Sequence, residues 1–150
     1  TRMKNGNTLI SLRNLNRIVE VDENGQMVQE KVFGKKGKGS LKKKNGVAQH
    51  DPEVLSDGSI LVPLTKVNKV IELNADRKKV WEWQDPAGKK AKLGIRDANR
   101  LPNGNTLIVQ YNKIIEITKE GGTVWELVIP GILYSRKGIN KFLYKAIRIQ

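Results

Sequence analysis

A chain of 150 residues is long enough to bury one core, but with 38% hydrophobic and 29% charged residues it must place its apolar side chains economically. The lack of cysteine excludes disulfides, thiolate metal sites and thiol catalysis. No apolar run approaches the roughly 18 residues that cross a bilayer as a helix, so no membrane span is expected in this segment, and no signal peptide is visible. The net charge of +13 is uneven. Residues 31–48 hold seven lysines and no acid, 84–100 five basic and two acidic residues, and 131–150 five basic residues and no acid; the remainder is slightly acidic. Charge gathered in connections and tail predicts one electropositive face, or merely well-solvated lysine loops.

In chain order, the first unit opens on the turn Asn5-Gly6-Asn7 and a strand, "TLISL". After Asn16-Arg17 comes "RIVEVD", in which apolar residues alternate around Glu20, the mark of a half-buried strand. A second turn at Glu23-Asn24-Gly25 leads into "MVQE". The stretch "GKKGKGS" lacks the spacing of a phosphate-binding loop and reads as a flexible basic connection. The second unit repeats the order: "VAQHDPEVL", the turn Asp57-Gly58-Ser59, a strand, Asn68-Lys69, "KVIELN" and "VWEW". The third runs "GIRDANRL", Asn103-Gly104-Asn105, a strand, Asn112-Lys113, "KIIEIT" and "TVWEL". The tail "GINKFLYKAIRIQ" is left over as one strand-like segment.

The turns recur at intervals of 52 and 46 residues, and each unit comprises short strands joined by tight turns, without helical periodicity. This predicts an all-β fold, a β-propeller with three four-stranded antiparallel blades at about residues 1–46, 47–93 and 94–137 and a closing tail strand at 138–150. A β-sandwich would not need the fixed period, and solenoid repeats are shorter. Trp81 and Trp125 take the same place in the outermost strand, where the first unit has Gln29. The first unit lacks a strand ahead of Asn5, and the tail is a spare one. Either two copies pair, each lending its tail to a two-fold six-bladed ring, or further sequence completes the ring.

"RDANRLPNGNTLIVQYNKIIEITKEGGTVWEL", "QHDPEVLSDGSILVPLTKVNKVIELNADRKKVWEW" and the tail "NKFLYKAIRI" together resemble the arylsulfotransferase family of propeller type. The resemblance implies sulfuryl transfer between phenolic compounds without a nucleotide donor or other cofactor, through a transient sulfohistidine. It implies export or membrane anchoring, and a site where innermost strands converge over the central channel. His50 would be the nucleophile, with Asp51 or a backbone carbonyl orienting its ring; Arg96, Arg100 and Asn140 would hold an anionic substrate such as an aryl sulfate. The family arrays several histidines, whereas this chain has one.

The residues themselves leave other roles open. His50 could cap an inner strand, and Arg96 could pair with Asp97. Arg100, four residues on, shares a strand face with Arg96. No metal-loop spacing and no nucleophile elbow occurs. The chain is therefore expected to be either a propeller that binds an anionic aryl compound, with or without transforming it, or a non-catalytic binding or assembly module for an acidic partner, glycan or nucleic acid. Nucleic acid is the weaker of these partners, because no aromatic residues are interleaved with the lysines.

Overall fold

The computed structural model describes residues 1–33, 46–88, 94–131 and 143–149. They form three antiparallel sheets. The first contains β1 (Thr8–Leu12), β2 (Arg17–Val21) and β3 (Met27–Val32). In the second, β4 (Glu53–Val54), β5 (Ile60–Leu64), β6 (Lys69–Leu73) and β7 (Lys79–Gln84) lie in sequence order. The third has β8 (Asp97–Arg100), β9 (Thr106–Val109), β10 (Lys113–Ile117) and β11 (Thr123–Val128) in the same succession. Each sheet is thus an up-and-down meander, the blade of a β-propeller.

The first sheet has three strands, as expected of a unit that lacks the strand ahead of Asn5, and the bridge Arg2↔Thr8 stands where an innermost strand would run. The tail departs from expectation: residues 143–149 lie against the third sheet without ladder pairing. Two single 3-10 turns, Arg13–Leu15 and Thr65–Val67, lead into β2 and β6.

Local chemistry explains the repeat. In the third sheet the Asn105 N–H donates to Asn103 Oδ1 at 3.0 Å, and Gly104 adopts φ 85°, a left-handed conformation that favours glycine. The first and second sheets close the same turn with Asn5 and Asp57 as acceptors. One register shift recurs in every sheet, at Glu20/Val21, Glu72/Leu73 and Glu116/Ile117, where a bulge increases the local twist.

The core lies between the sheets. Ile60 and Val62 pack with Leu9 and Ile18 of the first sheet, while Leu61 packs with Ile108 and Ile117 of the third. Side chains along β5 alternate between two apolar neighbours, so "ILVPL" is buried throughout. Its continuous apolar run is what a blade covered on both faces requires.

Candidate functional site

The innermost strands are delivered by asparagines of the preceding sheet. Asn16 closes a 3-10 turn in the left-handed region, and its Oδ1 accepts the N–H groups of Val47 and Ala48 at 3.0 and 3.2 Å. Asn68 repeats the arrangement, accepting the Gly94 N–H at 3.0 Å. The chain then joins its own sheet: Gln49 bridges Leu64, His50 N–H donates to the Pro63 carbonyl at 2.9 Å, and Arg96 N–H to Val109 at 2.8 Å. His50 and Arg96 are therefore fixed by backbone bonding just ahead of β4 and β8.

His50 is buried, 8% exposed, with its ring edge-on to Tyr144 of the tail at 5.0 Å. Burial, with the charges of Arg96 and Arg13, pushes its pKa below the ordinary 6.5, against the raising effects of a hydrogen bond to the Arg96 backbone and of Asp51. Nδ1 is buried and has no hydrogen-bond partner. In a neutral ring protonated on Nε2, this atom would offer its lone pair to a donor.

A cavity of about 310 Å³ adjoins the ring, lined by Leu9, Ser11, Arg13, Gln49, His50 and Tyr144 among others. Gln49 spends its amide N–H on the Arg17 carbonyl at 2.7 Å, leaving Oε1 without a partner; Ser11 Oγ is likewise unpartnered. Three unpartnered buried polar atoms thus belong to residues of one cavity, with Arg13 at its exposed rim. Buried polar groups are almost always satisfied, so such a cluster is suited to a ligand that offers donors.

Asp51 also lines this cavity and is bound by Lys145 of the tail, Nζ to Oδ2 at 3.0 Å. That hydrogen bond holds the Lys145 ammonium above its ordinary range. Arg96 turns away from the cavity, its guanidinium 5.0 Å from the centre of the Tyr111 ring and 3.5 Å from the Tyr111 hydroxyl. Asp97 is buried; burial raises its pKa against the opposing hydrogen bond from Asn99 and the charge of Lys145. Asn99 Nδ2 bridges Asp97 Oδ2 and the Ala146 carbonyl, which ties the tail to β8. Asn140 lies outside the described residues.

Arg100 is brought to a different place. Its Nη2 is 2.7 Å from Glu72 of the second sheet, its Nη1 donates to Thr106 Oγ1 at 2.7 Å, and its guanidinium carbon lies 4.9 Å from the centre of the Trp81 ring. It lines a groove of about 500 Å³ between the second and third sheets, with Glu53 and Glu72, rather than the His50 cavity. Equivalent ion pairs join Glu20 to Arg77 and Glu116 to Arg148. Tyr144 was missed as a site residue because the tail's alternation marks only a strand face, not the neighbour it meets. Residue order does hold the signal: Tyr144-Lys145-Ala146 parallels Arg96-Asp97-Ala98.

No protein family description matches the chain, and no curated protein does. Among solved structures it is similar to streptogramin B lyase, with a TM-score of 0.65, 19% identity, and coverage of 86% of this chain and 39% of that one. A catalytically inactive histidine-to-alanine variant of virginiamycin B lyase from Staphylococcus aureus, solved with quinupristin, gives 0.65 at 20% identity, covering 87% and 40%. BamB from Moraxella catarrhalis gives 0.52 at 15%, covering 82% and 33%. The chain thus spans about two-fifths of the length of the lyases it matches.

These findings correct the resemblance to arylsulfotransferases. Turns of the Asn-Gly-Asn-Thr kind and Val-Trp-Glu strands serve the blade itself: the same turn bond closes all three sheets. Transferase chemistry read from them has no support. At these identities the likeness establishes the architecture alone: the three sheets are blades of a β-propeller.

Proposed function

We propose that this chain supplies part of a propeller channel mouth that binds a small organic anion carrying O–H or N–H donors. The carrying observation is the cavity of about 310 Å³ shared by Ser11, Gln49 and His50, each with an unpartnered polar atom, and lined also by Arg13. His50 Nδ1 and Gln49 Oε1 accept from the ligand, the Ser11 hydroxyl serves either way, and Arg13 takes its carboxylate or similar group. Such a volume falls at the small end of ligand sites.

A second reading makes His50 a general base for a proton of the bound ligand. It is favoured by the neutral ring with a free Nδ1, and a propeller lyase is inactivated by one histidine substitution. The acidic-partner reading draws chiefly on the lysines of 34–45, which lie outside the described residues.

Calorimetric titration with a hydroxy acid such as 4-hydroxybenzoate tests the proposal. Saturable binding is expected, weakened roughly tenfold by Arg13→Ala, as loss of a charge-assisted bond requires. Absence of saturable heat, or equal affinity in native and Arg13→Ala protein, would overturn it.

A further inference from the structure

Two kinds of junction join the blades. Between the second and third sheets, the preceding blade offers Trp81 and Trp83 from β7, paired across the ladder with Glu72 and Val70. The following blade answers with Arg100, set over Trp81 and bound to Glu72, and with Gly121. A Cβ on Gly121 would stand 3.0 Å from Trp83 Cδ1, so the glycine makes room for the ring. The Trp81 Nε1–H completes the junction by donating to the Lys119 carbonyl at 2.7 Å.

Between the first and second sheets the positions change together. Gln29 and Lys31 replace the tryptophans, opposite Glu20 and Ile18. Val54, paired with Ile60, takes the place of Arg100, which pairs with Thr106. Arg77 takes the place of Gly121: each N–H closes the turn onto the residue three before it, Asn74 and Thr118. Arg77 then reaches Glu20 from the turn instead of from the inner strand.

The outer members of the chain carry the two unmatched halves of the tryptophan kind. The third sheet presents Trp125 and Leu127, both exposed, opposite Glu116 and Ile114. The first sheet presents Arg2, which bridges to Thr8 and donates to its Oγ1 at 3.0 Å as Arg100 does to Thr106. It also presents Gly25, whose turn closes onto Asp22 and whose Cβ position is open space. Within one chain these halves belong to the two end sheets.

From this complementarity we infer that the exposed face of β11 is the docking surface for the first sheet of a second copy of this chain. Gly25 of the second copy lies over Leu127, its Ile10 and Val19 take the positions that Ile108 and Ile115 hold in the internal junction, and its Arg2 binds Glu116 above Trp125. In the single chain the tail occupies that last place: Arg148 pairs with Glu116 and lies 5.3 Å from the Trp125 ring centre. Arg148 stands three residues after Lys145 as Arg100 does after Asp97, so the tail imitates the inner strand of a following blade. Ile147 and Ile149 are 75% and 93% exposed, and this end is displaced on docking. Two such contacts related by a two-fold axis close a ring of six blades.

Sedimentation of the native chain over a range of concentrations is the test. A species of twice the 16.9 kDa chain mass is expected. Trp125→Glu and Arg2→Ala should each weaken it roughly tenfold or more, the loss expected of an interface anchor. Gly25→Asn keeps the left-handed turn accessible and fills only open space in the single chain, so it should weaken pairing while the unfolding midpoint, measured at concentrations low enough to keep the chain single, holds. Arg148→Ala, which removes the competitor, should leave pairing equal or tighter. A chain that stays at 16.9 kDa throughout, a dimer indifferent to Trp125→Glu and Gly25→Asn, or one broken by Arg148→Ala would each overturn the inference.

Discussion

Arg100 locks the second and third blades together by lying 4.9 Å from the centre of the Trp81 ring while its Nη2 holds Glu72 at 2.7 Å. Both charged side chains are largely buried, so removing one strands the other. Arg100→Ala should cost about 3 kcal/mol, measured by chemical denaturation. Arg100→Lys should recover only part of this, because an ammonium cannot form the same fork. A loss below about 0.5 kcal/mol, typical of exposed pairs, would show that the clasp is not structural.

Acid should loosen the blades through their repeated carboxylates, Glu20 and Glu116 among them. At Glu20, burial raises the pKa, but the hydrogen bonds from Asn7 and Asn5 and the Arg77 charge outweigh it and hold the group below 4.5. At Glu116 the hydrogen bond from Asn105 leads, and the result is again a lowered pKa. A folded pKa below the unfolded one means stability that is present above the unfolded value and lost as pH falls through the folded one. Unfolding midpoints should therefore drop below about pH 4.5, and Glu20→Gln should flatten that drop.

Asp97 has the opposite sign. Its pKa is raised by burial, so its favourable contribution belongs to the protonated form and is lost as pH rises through the folded value. Asp97→Asn should remove that loss, making stability above about pH 4 less dependent on pH than in the native chain. Proton uptake on folding, followed by potentiometry, checks it; an unchanged profile would show that Asp97 ionises freely.

The sole histidine gives an unobstructed probe. His50 should titrate below 6.5, and Arg13→Ala should move it upward by removing a repelling charge. Because the folded pKa is lowered, the stability it contributes is present above about pH 6.5 and is lost as pH falls through the folded value. Proton NMR of the ring resolves both shifts. A titration at or above 6.5 would contradict the buried, cation-flanked setting.

Much of this architecture was legible in residue order. Asn103-Gly104-Asn105 and its relatives encode a turn with specific backbone demands, and the alternation around Glu20, Glu72 and Glu116 encodes strands with one polar place per face. Lateral partners were not legible. Arg96 and Arg100 share a strand parity, yet one lies against Tyr111 and the other against Glu72 and Trp81, because neighbouring blades decide which way a long side chain turns. Gln49 and Ser11 gave no signal at all, since their interest lies in bonds they do not make. Family assignment failed for a related reason: motifs that serve the blade say little about what its channel holds.

Nitrogen-15 NMR of His50 during titration with 4-hydroxybenzoate reads the proposed site atom by atom. At neutral pH the expected state has Nε2 protonated and Nδ1 bare, and the Nδ1 resonance should move saturably as the ligand donates to it. A protonated Nδ1 in the free protein, or a bare Nδ1 that does not respond to the ligand, would contradict binding at this cavity.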